Sequence, residues 1–299
     1  MSAAPPSQER PDTDDHAPTL SVPASVGLTA LAFVLTHGLF YVAGALYALR
    51  EGDALPEGLA HGVVMARADA LVHGLALAFG LGTATLLATL RGGAGALGVR
   101  ERVGLVAVGR AALPWAALLG ASVHVAGAEL VNVLREVWPL TPAADVAQQH
   151  LLTPRTWQDG LGAVLAFVAL APLAEEVLFR GVLFPGMTRH YGHAWFAIAL
   201  SSLLFGVTHV EPVAIFYATL MGAGLAWLTV RARSVVPALV AHAAHNAVPL
   251  LLPERVVRIE GLNTLAQAGY HLHPLIVLTA TLSALLAARA LLHSLTSPP

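Results

Sequence analysis

The chain has 299 residues, of which 56% are hydrophobic and only 11% are charged, and its formal net charge is −2. Soluble domains carry about a quarter charged residues, so this chain cannot cover a water-facing surface and is predicted to be an integral membrane protein. The small net charge excludes a basic surface for nucleic acid. The absence of cysteine excludes disulfides, zinc–thiolate sites and a cysteine nucleophile.

Residues 1–24 contain five prolines among polar residues, which predicts a disordered N-terminal tail. Residues 25–293 are expected to form a multi-span helical membrane domain, because a spanning helix needs about 20 apolar residues. Eight stretches without Asp, Glu, Lys or Arg are candidates: 17–49, 71–90, 111–128, 160–174, 190–210, 212–230, 234–253 and 261–288. The third can extend to about Val133, and the fourth is long enough only if its helix continues beyond residue 174. The predicted fold class is an all-α polytopic membrane helix bundle with about eight transmembrane helices and the active site within the bundle.

The arginines predict the orientation of the bundle, because cytoplasmic loops carry an excess of basic residues. With the N-terminus inside, nine arginines fall on the inner side and six, Arg67 among them, fall in outer loops. Both termini are therefore expected in the cytoplasm. Every basic residue is arginine rather than lysine, which we interpret as the coding bias of a GC-rich bacterium, and so the expected location is a bacterial cytoplasmic membrane.

Two adjacent carboxylates follow the fourth apolar stretch, in the sequence Ala-Glu-Glu-Val-Leu-Phe-Arg-Gly at residues 174–181. A carboxylate inside a membrane span is costly and is a functional hypothesis by default. On a helix, Glu176 and Arg180 share a face and can pair, whereas Glu175 points about 100° away. Glu175 is thus expected to be free for general-base chemistry. The alternative is a helix that ends at the membrane surface, with Glu175 in water.

Polar residues also occur in the fifth and seventh stretches. His209 follows Phe205 by four residues, and His242 and Asn246 are likewise four apart on one helical face. An antiparallel hairpin that turns at Gly192 would bring Glu175 and His209 to similar depth. Counting from the turns leaves His242 about 12 Å from that level, unless the hairpin projects beyond the membrane or the helices are staggered.

The other polar and small residues of the spans are expected to pack rather than react. A single histidine in an apolar helix is usually a packed, hydrogen-bonded core residue, and five are interpreted in this way: His37, His73, His124, His245 and His293. Gly222 and Gly224 are expected to allow close approach of neighbouring helices.

Three motifs in this order resemble the CPBP family, the CAAX proteases and bacteriocin-processing enzymes that are also called abortive-infection proteins. They are Glu-Glu-x-x-x-Arg at 175–180, Phe-x-x-x-His at 205–209 and His-x-x-x-Asn at 242–246. The family includes the type II CAAX prenyl endopeptidases. The resemblance covers about residues 160–252, and a protease core is expected at about 155–252.

The resemblance implies a glutamate-dependent intramembrane endopeptidase that cleaves a membrane-embedded protein or peptide, including lipidated ones. It implies that Glu175 activates the water, that His209 orients the water or carries a proton, and that His242 and Asn246 stabilise the oxyanion. The remaining motif residues are implied to hold the site together: Glu176, Arg180 and Phe205.

Several alternatives remain open at the level of sequence. A serine nucleophile fits poorly, because Ser201 and Ser202 lie two turns from the histidine at 209. Glu175, His209 and His242 could instead form a catalytic zinc set with an open position, and the resemblance is compatible with metal-dependent and metal-free hydrolysis. Two other functions are a non-catalytic membrane scaffold or immunity protein of the same fold, and a proton-coupled transporter with a glutamate–histidine relay.

Overall fold

The computed structural model describes residues 19–55, 58–91, 98–141, 154, 156–254, 256–264 and 270–296. Across these residues the chain forms helices and no strand, which confirms the all-α fold class. The helices are α1 (Val22–Glu51), α2 (Leu59–Ala68), α3 (Ala70–Arg91), α4 (Val99–Arg102), α5 (Ala112–Val137), α6 (Trp157–Tyr191), α7 (Ala194–Val207), α8 (Pro212–Ala232), α9 (Val236–Leu251) and α10 (Pro274–Thr296). By length and composition, α1, α3, α5, α6, α8 and α10 can cross a membrane, and α7 and α9 are shorter apolar helices.

Each of the eight predicted spans contains one helix, but several boundaries differ. Helix α1 begins at Val22, so the tail boundary at residue 24 was placed too late; residues 1–18 lie outside the described part of the chain. The expected extension of the third span is confirmed, since α5 runs to Val137. The last span begins at Pro274 rather than at 261, since the described residues 261–264 and 270–273 are not helical.

Helix α6 continues through the glutamate pair as a single 35-residue helix. Two of its segments, Val164–Leu170 and Val177–Leu183, are π-helical, and the N–H of the residue after each donates to the carbonyl five residues earlier. Each segment is followed closely by a proline, Pro172 or Pro185. Proline lacks the N–H that an α-helical register requires, and the wider register absorbs this loss without ending the helix.

Helices α2 and α3 form a broken helix beside α1, where the sequence suggested a loop. The backbones of Gly44 and Gly62 touch, so α2 lies directly against α1. Asp69 separates α2 from α3 in an extended conformation, and its Oδ1 accepts a hydrogen bond of 3.0 Å from the N–H of Val72. The placement of Arg67 in an outer loop was therefore wrong. Arg67 lies at the break in this helix pair, inside the bundle.

The α6–α7 hairpin projects beyond the neighbouring α8–α9 turn. The hairpin turns at Gly192, which has a φ of 72°. A Cβ at Gly104 would lie 2.9 Å from Cγ2 of Val235 and 3.9 Å from Cα of Gly181, so the α8–α9 turn is level with Gly181. That level is eleven residues before Gly192, or about 16 Å along the helix. This offset between the two turns brings His242 to the depth of Glu175.

His271, in the segment before α10, is tied to the C-terminal part of α5 by an ionic cluster. The Nδ1–H of His271 donates to Oε1 of Glu129 at 2.8 Å, and its Nε2–H donates to Oε1 of Glu136 at 3.0 Å. Both nitrogens can donate only when the imidazole is protonated. The hydrogen bond to Glu129, followed by that to Glu136, therefore raises the pKa of His271 above 6.5.

The outer surface of the bundle is apolar, as contact with lipid requires. Large side chains such as Leu46, Leu86 and Leu285 are more than half exposed. The described part of the chain thus has the surface and the helices of an integral, multi-pass membrane protein. Its most buried region surrounds the second half of α6, where the charged motif lies.

Candidate active site

The two adjacent glutamates of α6 have different environments, as the helical geometry predicted. Glu176 is completely buried, and its Oε1 accepts a hydrogen bond of 2.8 Å from Nη1 of Arg180. The expected Glu176–Arg180 pair is confirmed. Glu175 is 7% exposed, so the alternative of a helix end with Glu175 in water is wrong. No arginine pairs with Glu175 within ion-pair distance among the described residues.

His242 of α9 links the two glutamates. Its Nδ1–H donates to Oε1 of Glu176 at 2.8 Å, and its Nε2 lies 3.6 Å from Oε2 of Glu175. Because the same Oε1 also accepts from Nη1 of Arg180, the proton of the first contact is assigned to the imidazole. The second contact is longer than a hydrogen bond. Arg180, Glu176, His242 and Glu175 thus follow one another in a single buried chain of polar groups.

Phe205 and Gly222 enclose the buried guanidinium of Arg180. The Cζ of Arg180 lies 4.4 Å from the ring centroid of Phe205, a cation–π contact. The same ring packs against His209 and His242 at centroid distances of 4.9 and 5.9 Å. A Cβ at Gly222 would lie 2.9 Å from Nη2 of Arg180, so the close approach expected at this glycine is confirmed.

The prediction of a close helix approach at Gly224 is wrong, because a Cβ at this position would meet no atom within 4 Å. The packing interpretation of His124 and His245 holds, since their rings contact each other with centroids 4.6 Å apart. Their expected hydrogen bonding holds only in part, because Nδ1 of each ring is buried without a partner.

Asn246 contacts α6 one turn beyond His242 on the same face of α9. Its Nδ2 donates to the backbone carbonyl of Phe167 at 2.9 Å. In the five-residue register of this segment, that carbonyl would pair with the nitrogen of Pro172, which has no hydrogen. Asn246 therefore satisfies a carbonyl that the proline leaves without a donor. This contact places the Asn246 amide against α6, and the amide is not among the groups that line the cavity beside Glu175, where the resemblance implies an oxyanion.

A cavity of about 240 Å³ opens beside Glu175. Its volume is ample for several water molecules. His209, which follows the end of α7, lines the same cavity, and its Nδ1–H donates to the carbonyl of Phe205 at 3.2 Å, so Nε2 is left for other contacts. The structure thus brings Glu175 and His209 together. His242 and Asn246 do not line this cavity and reach the site through α6.

The opposite wall of the cavity comes from α1, α2 and α3 and includes His37, Arg67 and His73. The interpretation of His37 and His73 as packing residues was therefore incomplete. Each donates its Nδ1–H to a backbone carbonyl, that of Phe33 at 2.9 Å and that of Arg67 at 3.1 Å. One signal was available in the sequence: the charged residues Arg67 and Asp69 interrupt two apolar stretches directly before His73.

The zinc set considered from the sequence does not fit this geometry. Among the residues that the structure describes, no three Asp, Glu or His side chains form a group that could hold a metal ion. His242 donates its Nδ1–H to Glu176 and contacts Glu175 on its other side, whereas His209 faces the cavity. Glu175, His209 and His242 therefore do not surround a common point.

Comparison with known proteins supports the resemblance inferred from the motifs. Residues 157–248 match the sequence profile of a family described as type II CAAX prenyl endopeptidase Rce1-like. The matched segment begins at the first residue of α6 and ends within α9, so it contains all three motifs. Helices α1–α5 and α10 lie outside it. No curated protein and no solved structure matched the chain.

Proposed function

We propose that this chain, which belongs through residues 157–248 to the type II CAAX prenyl endopeptidase family, is an intramembrane endopeptidase that uses Glu175 to activate water. The substrate would be a membrane-embedded protein or peptide, including lipidated ones. One observation supports this best: the carboxylate of Glu175 both lines a cavity large enough for water and contacts a buried His242–Glu176–Arg180 chain. A carboxylate that faces water, and that also contacts a histidine able to carry a proton, is suited to act as a general base in hydrolysis.

In the proposed reaction, Glu175 removes a proton from a water molecule in the cavity while the water oxygen attacks the carbonyl carbon of the scissile peptide bond. The carbonyl oxygen becomes the oxyanion of a tetrahedral intermediate. Glu175 then delivers the proton to the peptide nitrogen, the carbon–nitrogen bond breaks, and the products are a carboxylic acid and an amine, which exchange a proton to give a carboxylate and an ammonium group. General-base catalysis of this kind contributes about 10²–10⁴-fold.

In the proposal, neighbouring side chains orient the water, exchange a proton with Glu175 and stabilise the oxyanion. His209, with Nδ1–H bound to the Phe205 carbonyl, has Nε2 available to orient the water. His242, held at Nδ1 by Glu176, has Nε2 available to exchange a proton with Glu175. In the proposal the oxyanion donor is the Nε2–H of His242, when present, because this nitrogen reaches Glu175. Asn246, which does not line the cavity, supports α6 through the Phe167 carbonyl instead. Loss of one oxyanion donor reduces the rate of acyl transfer by about 100-fold or more.

The proposal is tested with the purified protein in liposomes, with an unmodified transmembrane peptide and a prenylated peptide as substrates and with product masses as the readout. Glu175→Gln should cleave at least about 100-fold more slowly than wild type. Glu254→Gln is the matched control, because Glu254 forms only an exposed pair with Arg258 at 3.5 Å and should leave the rate unchanged.

Each outcome of this experiment separates the candidate functions. Equal rates for wild type and Glu175→Gln would exclude the glutamate mechanism. Failure of the folded wild type to cleave any peptide would favour the scaffold, and uptake driven by a pH gradient in the same liposomes would favour the transporter.

A further inference from the structure

Arg67 brings an unpaired positive charge to the cavity that holds Glu175. It lies in the last turn of α2 and lines the cavity together with Glu175 and His209. Its Cζ lies 5.7 Å from the ring centroid of Phe40, and its Nε is buried without a hydrogen-bond partner. Within the described ranges of the chain, Arg67 forms no ion pair.

Among the described residues, the polar groups around Arg67 have other hydrogen-bond partners, and none of the carboxylates forms an ion pair with it. Asp69, the nearest carboxylate in sequence, accepts hydrogen bonds from the hydroxyl of Tyr47 at 2.8 Å and from the N–H of Val72 at 3.0 Å. His73 donates to the backbone carbonyl of Arg67 itself. On the far side of the cavity, Oε2 of Glu175 lies 3.6 Å from Nε2 of His242.

An unpaired guanidinium inside a membrane protein is costly, and such groups are found paired or facing a functional cavity. Phe40 covers one face of this guanidinium without neutralising it. Because the break between α2 and α3 holds Arg67 at the cavity, the missing negative charge is most simply supplied by the molecule that enters. A planar guanidinium binds a carboxylate through two parallel hydrogen bonds.

We propose that Arg67 is a substrate-anchoring residue that binds a carboxylate of the peptide substrate, and that this contact holds the scissile bond at Glu175. The inference rests on the proposed function. It places a determinant of specificity on α2, outside the segment matched to the endopeptidase family. The carboxylate is either the C-terminal group of the peptide or an acidic side chain near the cleaved bond.

The test uses three peptides of one sequence in liposomes: one with a free C-terminal carboxylate, one with a C-terminal amide, and one amidated peptide with a single added glutamate. Wild type should show a KM about tenfold lower for a carboxylate-bearing peptide than for the plain amide, the equivalent of one charge-assisted hydrogen bond. The peptide that shows the lower KM identifies the source of the carboxylate.

Arg67→Gln should raise KM for the carboxylate-bearing peptide to that of the amide, with kcat and cleavage of the amide unchanged. Arg67→Lys should recover part of the preference, because lysine keeps the charge but not the paired donors. Arg231→Gln is the matched control, since Arg231 also lies over an aromatic ring, that of Trp227 at 5.9 Å, but does not line the cavity.

Three results would overturn the inference: equal KM values for all peptides with wild type, an unchanged preference in Arg67→Gln, or an equal loss of activity with all peptides. A binding measurement separates failure of the anchoring role from failure of the proposed endopeptidase function. Binding of each peptide to the wild type, to Glu175→Gln and to Arg67→Gln is measured by fluorescence anisotropy, which does not depend on cleavage. If no peptide is cleaved but the carboxylate preference in binding disappears in Arg67→Gln, the anchoring role stands without the endopeptidase. Equal binding of acid and amide would refute it.

Discussion

Replacement of Glu176 by glutamine tests the buried polar chain of the site. The side chain of Glu176 is fully buried, and its Oε1 accepts hydrogen bonds of 2.8 Å from both Arg180 and His242. Glutamine keeps the size of the side chain and one acceptor oxygen but removes the charge. Arg180, which is 1% exposed, would then lie in an apolar core without its paired carboxylate.

Two approaches give similar magnitudes for this change. Unit charges about 4 Å apart interact by about 4 kcal/mol at an effective dielectric constant of 20. Removal of one partner of a buried ion pair costs about 3–5 kcal/mol, because the other charge stays buried. At roughly 2 °C per kcal/mol for a chain of this size, the melting temperature should fall by about 6–10 °C.

The assay is thermal melting in mild detergent, followed by size-exclusion chromatography of the surviving folded protein. Glu254→Gln, which removes one partner of an exposed pair, should change the melting temperature little. The double variant Glu176→Leu/Arg180→Met should be more stable than the sum of its single variants, because neither member of the ion pair is left buried without its partner. The reasoning is refuted if Glu176→Gln melts like wild type or if the double variant shows purely additive losses.

Further predictions concern the supports of the site and the ionic cluster near α10, each measured by thermal melting. Gly222→Ala should destabilise by about 1–3 kcal/mol and lower activity, because its methyl group would crowd the buried guanidinium, whereas Gly224→Ala should be neutral in this respect. Asn246→Ala should cost about 1–3 kcal/mol by leaving a buried carbonyl unpaired, and adding Pro172→Ala, which restores an N–H, should recover part of it. His271 has a pKa raised above 6.5, so its stabilising contribution is complete below pH 6.5 and is lost as the pH rises through the folded-state pKa. The melting temperature of the wild type should therefore fall over this pH range, and this fall should be absent in His271→Gln.

The local parts of the site could be predicted from the sequence because helical geometry determines them. The four-residue spacing placed Glu176 next to Arg180 and left Glu175 on another face. The position of Gly192 predicted the turn between α6 and α7, and with it the meeting of Glu175 and His209 at one cavity.

The contribution of the N-terminal helices could not be predicted, because it depends on contacts between distant segments. Arg67 reaches the cavity only because α2 folds back on α1 where Gly44 meets Gly62, and a short stretch ending in charged residues resembles a loop. Likewise, the partner of Asn246 follows from a missing proline N–H in a different helix. Spacing within one helix carries no information about either contact.

The most direct test of the central claim is to measure substrate binding and single-turnover cleavage separately for wild type and Glu175→Gln. Glu175→Gln should bind the peptide as wild type does, because the change removes a base and preserves the shape of the cavity. Its cleavage rate should fall by at least about 100-fold, the usual contribution of a general base. Cleavage at the wild-type rate by the folded variant would contradict the account.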